Sequence, residues 1–316
     1  MSEQILLNVV IQNRHDDGRG VAVLRLVPTN GETLPSFSAG AHIDVHINEG
    51  LIRQYSLSND PVNADHYRIG VLHDADSRGG SVTIFKEFQA DKTIQISSPR
   101  NHFEVRKHDS RAILVAGGIG ITPLLAMAYE LRAQEREFVL HYCLNKRANG
   151  AFIDELEQQF GDQLVLHCSE DKKFDPVVEL AKESDAGHLY ICGPTGFMDW
   201  IIDTAKEQGY SSEQIHFEYF NADVEIIGDA IEVYCEESDM TVMVKPDESI
   251  ANALSNAGIT VNVSCEQGVC GTCITDVLEG EPDHRDHFLT DEEKADNDQM
   301  ALCCSRAKST CLVVDI

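Results

Sequence analysis

Three thiols crowd the segment Cys265-Glu-Gln-Gly-Val-Cys270-Gly-Thr-Cys273, and Cys303 follows at a distance, giving the pattern C-x4-C-x2-C-x29-C. This is the spacing that holds a plant-type [2Fe–2S] cluster. Each iron of such a cluster is tetrahedral and takes two thiolates beside two bridging sulfides. One tight loop therefore supplies three cysteines, and a remote segment supplies the fourth. Gly268 and Gly271 let the loop fold back and turn backbone N–H groups toward the sulfurs of a negatively charged cluster. Cys304 adjoins Cys303 and, on spacing alone, could ligate in its place. A structural zinc site also uses four cysteines, but its signature is paired C-x2-C knuckles, which an x4 gap with interior glycines fits poorly. The opening Met-Ser-Glu-Gln has neither a basic n-region nor an apolar h-region, so a cytoplasmic, reducing setting with free thiols is expected.

Other residues of suitable type lie upstream. Arg53-Gln-Tyr55-Ser56-Leu57 offers a bidentate phosphate binder, an aromatic face and a hydroxyl at the end of a strand. Ser77-Arg-Gly79-Gly80-Ser81-Val82 is a glycine turn feeding a helix N-terminus, a ready anion site. Together they suit a flavin phosphate and its ring. Gly117-Gly118-Ile-Gly120-Ile-Thr122-Pro123 is a tight strand-to-helix turn that lets a pyrophosphate approach the backbone, although it is not the G-x-G-x-x-G fingerprint. Cys192-Gly193-Pro194 ends an apolar strand, where its thiol meets either a nicotinamide or the strand's own packing. His42 and His46 lie about 13 Å apart at strand rise, too far for one metal, and read as ordinary strand histidines. His284 and His287 read as solvated. Cys143, Cys168, Cys235 and Cys311 read as packing residues.

The elements that position these residues fall into three blocks. From Ile5 to Arg106, short alternating strands such as Val21–Val27, Ala41–Ile47, Tyr67–Leu72 and Thr93–Ser97 predict a small antiparallel β-barrel. From Lys107 the period changes to an α/β alternation: strands 111–116, 138–143, 163–168 and 187–192, with helices from about 123 to 134, 151–160 and 195–208. That is a doubly wound nucleotide-binding layout. Asn221 to Asp229 reads as a linker. The last block predicts an α+β domain, with strands near 231–235, 241–245, 261–263, 274–278 and 312–316 and helices near 249–256 and 291–296.

A chain of 316 residues is long enough for two or three such domains. The longest apolar run, Ala112 to Ala128, is 17 residues with three glycines and a proline, too short and broken for a membrane span. Acids outnumber bases 53 to 25, which argues against nucleic acid or an anionic membrane as partner. Residues 230–316 alone hold 18 acids and 5 bases, as expected of a surface that steers toward a basic redox partner, or simply of one selected for solubility.

Taken together, these segments resemble the reductase components of Rieske-type oxygenase systems, the phthalate dioxygenase reductase and vanillate O-demethylase reductase family, to which carnitine monooxygenase reductase is similar. The likeness covers essentially the whole chain. It implies an FMN-binding barrel domain at 1–106, an NADH-binding α/β domain at 107–222, a linker at 223–229 and a [2Fe–2S] ferredoxin domain at 230–316. By the resemblance Arg53 binds the FMN phosphate, Tyr55 and Ser56 face the isoalloxazine with Ser56 near N5, Leu57 is a further cofactor-binding residue, and Gly79, Gly80 and Ser81 match the phosphate loop. Gly117, Gly118, Gly120, Thr122 and Pro123 match the NADH pyrophosphate segment. Cys192, Gly193 and Pro194 match the nicotinamide-side strand end, and Phe220 the aromatic against the flavin. The Ser-Arg that follows selects Cys303, with Cys265, Cys270 and Cys273, as the cluster ligand. FMN rather than FAD and NADH rather than NADPH are likewise implied, although Asn145-Lys-Arg147 is placed to meet a 2′-phosphate. The implied activity is NADH oxidation with single electrons passed to a separate Rieske-type terminal oxygenase. The alternatives are a general NADH:acceptor diaphorase or flavin oxidase, and a cluster-bearing redox sensor without nicotinamide turnover.

Overall fold

The computed structural model describes residues 6–316 apart from 30, 49, 63–64, 76, 78, 108–109, 183–186 and 222–223. The expected strand start at Ile5, Arg78 of the glycine turn and the boundary between residues 222 and 223 lie outside the described residues. The chain forms two compact units, Met1–Phe220 and Asn221–Ile316.

The first unit begins with β1 (Leu6–Asp17), β2 (Val21–Pro28), β3 (His42–Asn48), β4 (Leu51–Ser56), β5 (Tyr67–Leu72), helix α1 (Gly80–Glu87) and β6 (Thr93–Ser97). The strands pair antiparallel in the order β4-β3-β6-β1-β2-β5, and a bridge between Leu57 and Ile69 joins the two ends into a barrel. Alternation along β3 sends Ile43, Val45 and Ile47 into the barrel core. Its other face is covered as well: His42, read as an ordinary strand histidine, is 4% exposed and Asp44 2%.

The same unit continues through β7 (Ala112–Gly117), α2 (Ile121–Ala133), β8 (Phe138–Leu144), α3 (Ile153–Phe160), β9 (Leu164–Cys168), α4 (Pro176–Ala181), β10 (His188–Gly193), α5 (Thr195–Glu207) and β11 (Ile215–Tyr219). The sheet is parallel throughout, in the order β11-β10-β7-β8-β9. Every residue of β7 is buried, as a strand covered on both faces must be. Helices α2 and α3 bury Leu124, Leu131, Leu156 and Phe160 in one core, while α4 and α5 bury Leu180, Met198 and Ile201 in the other. Each such side chain contributes about 1.5–3 kcal/mol. The order reverses between β7 and β10, which opens a crevice at their carboxyl ends. Barrel and sheet are locked by Arg68, which donates to both Glu155 oxygens at 2.7 and 2.9 Å, and by Asp17, which accepts the Phe152 N–H at 2.8 Å.

The second unit contains β12 (Ile231–Cys235), β13 (Met240–Val244), α6 (Ile250–Asn256), β14 (Ile274–Glu279), β15 (Pro282–Asp283), α7 (Asp291–Asp296), β16 (Gln299–Ala301), β17 (Arg306–Ala307) and β18 (Cys311–Val314). Its main sheet runs β13-β12-β18-β14-β16, and β15 pairs with β17. Ser249 caps α6, and a Thr290–Glu293 capping box starts α7. The stretch expected as a linker is held here: Arg285 donates to the carbonyls of Glu225 and Ile227, and buried Arg306 to those of Asp229 and Glu248.

Several expectations need correction. Residues 261–263 form no strand: Val261 and Val263 pack on the core, but their backbone runs unpaired into the cysteine loop. Cys311 is exposed at the start of its strand rather than packed, and Cys143 is only half-buried. The His284 side chain is 8% exposed, lying beside Asp286 rather than in solvent. Strand β11 and helix α4 were not anticipated.

Candidate functional site

At the end of β4, Ser56 is 5% and Leu57 0% exposed, while Tyr55 is half-buried. Burial pushes the Tyr55 phenol well up, against the pull of Arg53, so it stays a neutral ring and donor. The Leu57 side chain belongs to the barrel core, so any contact it makes with a ligand goes through its backbone. The Arg53 side chain lies across Gly80, close enough that a Cβ there would sit 2.8 Å from Arg53 Cγ. Helix α1 begins at that point, behind Gly79 in the left-handed region and with no side-chain cap. Its first N–H groups and the Arg53 guanidinium therefore converge, which is the donor set a phosphate dianion needs. Ser81 is bound instead to the Asp74 backbone, accepting its N–H at 3.2 Å and lying 3.1 Å from its carbonyl oxygen, and so braces the loop.

On the sheet side, Gly117 to Gly120 turn directly from β7 into α2, and Pro123 falls in the first turn of that helix. Gly120 has no room for a side chain, because the Cys192 carbonyl occupies the place a Cβ would take. Gly193 packs on Gly117, and Pro194 and Phe197 close over it. The Thr122 hydroxyl donates to Ile119 O at 3.0 Å and holds the turn. This brings the two glycine-bearing strand ends together at the crevice. Cys192 is fully buried, and burial, reinforced by Glu218, pushes its thiol far above the ordinary range. It is a neutral, soft surface and not a nucleophile. Phe220 is partly buried against the α2-side core.

One residue of this junction escaped the sequence reading. Glu218, on β11, is the register partner of Cys192, and its Oε2 accepts the Ser56 hydroxyl at 3.4 Å. Its Oε1 lies 3.7 Å from His42 Nδ1. A carboxylate in a run as apolar as Ile215-His-Phe-Glu-Tyr-Phe220 is the one signal that could have pointed to it.

In the second unit Cys265, Cys270, Cys273, Cys303 and Cys304 are all buried, between 1% and 6% exposed. The Cys265 thiol is within hydrogen-bonding reach of both Cys270 and Cys303. The Gln267 N–H donates to Cys265 Sγ at 3.3 Å, and the Thr272 N–H to Cys270 Sγ at 3.5 Å. Gly268 and Gly271 have φ of +69° and +70°. A Cβ on Gly268 would reach Cys304 Sγ at 2.6 Å, and one on Gly271 would collide with the Phe288 ring. Behind the loop, Asp286 accepts the N–H groups of Phe288 and Leu289, and the His287 N–H donates to Gly268 O. Among the described residues no three His, Cys, Asp or Glu side chains converge closely enough for a single metal ion. The fit to a cluster therefore rests on the thiol donors, the N–H groups aimed at their sulfurs and the side-chain-free loop.

Barrel, parallel sheet and cysteine-bearing α+β domain in one chain define a flavin- and nicotinamide-dependent iron–sulfur oxidoreductase. Residues 233–308 match the 2Fe-2S iron-sulfur cluster binding domain. Over 98% of this chain and the full length of the relative, it is 46% identical to vanillate O-demethylase oxidoreductase of Pseudomonas sp. (strain HR199 / DSM 7063). It is 37% identical to the phthalate 4,5-dioxygenase oxygenase reductase subunit of Pseudomonas putida, over 94% and 93% of the two chains. The solved phthalate dioxygenase reductase, described as a modular structure for electron transfer from pyridine nucleotides to [2Fe–2S], superposes with a TM-score of 0.76 at 36% identity over 98% of both chains. A self-sufficient type IV cytochrome P450 monooxygenase superposes at 0.88 and 33% identity over 99% of this chain, which spans only 41% of that one. The chain belongs to the family of oxygenase reductase components that includes these vanillate and phthalate reductases, and it carries their 2Fe-2S cluster binding domain. Among the described residues no helix is long and apolar enough to cross a membrane.

Proposed function

We propose that this chain oxidises NADH and delivers the electrons one at a time to a separate terminal oxygenase of the Rieske type, with an O-demethylase of the vanillate class the first to assay. The observation that carries the reading is the junction of buried Ser56 and Cys192 with the partly buried Glu218, present in the same chain as a shielded cysteine loop and Cys303. When bound, the flavin supplies the exchange between two-electron and one-electron chemistry and the cluster accepts single electrons.

The chain's own residues do the positioning. Arg53 and the N–H groups opening α1, beside Gly79, Gly80 and Ser81, neutralise the FMN phosphate. Tyr55 and Phe220 supply aromatic faces for the ring, and Leu57 shapes the strand that carries them. Ser56 presents a hydroxyl whose direction is set by Glu218. Gly117, Gly118 and Gly120, with Thr122 and Pro123, let the NADH pyrophosphate reach the backbone at a helix start. Cys192, Gly193 and Pro194 offer the nicotinamide an uncharged surface that excludes water. Cys265, Cys270, Cys273 and Cys303 are the thiolates for the two irons, and Cys304 packs behind them. The excess of acids in residues 230–316 steers a basic partner surface.

The test is Cys270→Ser in the full chain. NADH still bleaches the flavin, while cytochrome c reduction falls to background. Loss of both in a folded, flavin-containing protein contradicts the modular route. Oxygen consumption that an added Rieske oxygenase does not alter favours a diaphorase or oxidase instead.

A further inference from the structure

His42 is 4% exposed, and neither of its ring nitrogens has a hydrogen-bond partner among the described residues. A buried imidazole in that condition is destabilising unless it serves another purpose. Its Nδ1 lies 3.7 Å from Glu218 Oε1, about 0.8 Å beyond a normal N–H···O separation of about 2.9 Å. The other oxygen of Glu218 accepts the Ser56 hydroxyl, and Ser56 is the register partner of His42 across β3 and β4. On its far side the His42 ring lies 5.7 Å from the ring of His102, which is exposed. The neighbouring charges are otherwise committed. Arg100 pairs with His42 through the backbone but gives its guanidinium to Asp44 at 2.8 Å, and Cys192, opposite Glu218, is neutral. Partial desolvation of the ring, with the charges of His42 and Arg100, holds His102 below the usual imidazole range despite Glu218 and Glu104.

We propose that His42 is a positioning residue and proton relay for Glu218, and that Ser56, Glu218, His42 and His102 form the line along which the proton of each turnover leaves the buried junction. This rests on the reading of Ser56 as the residue that faces the flavin. Oxidation of one NADH by two one-electron acceptors yields NAD⁺, two reduced acceptors and one proton. Ser56 hands its hydroxyl proton to Glu218 Oε2 and takes the released one in its place. Glu218 passes a proton to His42 Nδ1, and His42 releases one from Nε2 toward His102 and solvent. Each transfer breaks one O–H or N–H bond as it forms another, and no electrons travel along the line.

Two measurements decide it. In ¹⁵N-histidine-labelled full-length protein, the His42 ring-nitrogen signals followed by NMR shift in Glu218→Gln, because Nδ1 loses its carboxylate neighbour. Unchanged His42 ring signals in a folded Glu218→Gln protein overturn the pairing. In parallel, His42→Ala slows NADH-driven cytochrome c reduction about tenfold or more and alters its pH profile, and free imidazole in the buffer restores the rate. An unaltered rate and profile, or a slowed rate that imidazole does not restore, overturns the relay. If the unsubstituted protein fails to reduce cytochrome c with NADH, the functional reading falls and the relay falls with it. The NMR result still stands as a statement about the pair, and it also decides the matter if His42→Ala does not fold.

Discussion

Cys192 and Glu218 face each other in register at the carboxyl ends of adjacent parallel strands, and Glu218 also takes the hydrogen bond of Ser56 from the barrel. Three residues from three separate stretches thus meet at one junction. The carboxylate accepts the hydroxyl's hydrogen bond and adds to the burial that keeps the thiol protonated, so the junction holds a donor and a neutral sulfur.

Arg53→Ala should weaken FMN binding roughly tenfold to hundredfold, since a charge-assisted phosphate contact contributes about 1.5–3 kcal/mol. Titrating flavin into the stripped protein and following its fluorescence measures this. An unchanged dissociation constant would remove Arg53 from the phosphate site.

Cys303→Ala should lose the cluster, while Cys304→Ala should keep iron and sulfide in equal amounts. The Cys304 thiol lies against Gly268, behind the loop, whereas Cys303 is in reach of Cys265. Metal analysis with visible spectra distinguishes the two, and the reverse pattern would exchange the ligand assignment.

His141 and His167 share a buried hydrogen bond of 3.0 Å. Burial, with the neighbouring His167 charge, lowers His141 from 6.5 to about 4. The unfolded chain then binds a proton that the folded chain refuses, so this contribution to stability is present above pH 6.5 and is lost as pH falls toward 4. It is on the order of 1–3 kcal/mol. Urea unfolding at pH 7 and pH 5 should show that loss, and His141→Phe should shrink it. Equal pH slopes for the two proteins would contradict the account.

Arg306→Met should destabilise the second unit by about 2–4 kcal/mol. Arg306 is 1% exposed, and its guanidinium serves the carbonyls of Glu248 and Asp229, which would be left without it. Thermal loss of the cluster absorbance reports the effect. A midpoint that does not move would mean that water replaces those contacts.

The cluster loop was legible because cysteine spacing and interior glycine constrain local geometry directly. The strands of the barrel and sheet were legible from hydrophobic period, and so was the capped acidic helix after Thr290. Gly117 to Pro123 and Cys192 to Pro194 were found because a tight strand-to-helix turn is a property of the contiguous chain. Edge strand β11 was missed because Ile215-His-Phe-Glu-Tyr carries polar residues on a partly exposed face.

From residues alone came the three domain types, the closely spaced cysteines and the glycine-bearing strand ends, since each is a matter of local spacing and pattern. Tertiary structure alone decided that Glu218 joins Ser56 and Cys192, that His42 is buried beside Glu218, and that His284 lies beside Asp286 rather than in solvent. Those are contacts between residues up to 176 positions apart, His42 to Glu218 being the longest. No periodicity records such a distance, because it exists only once barrel and sheet have packed.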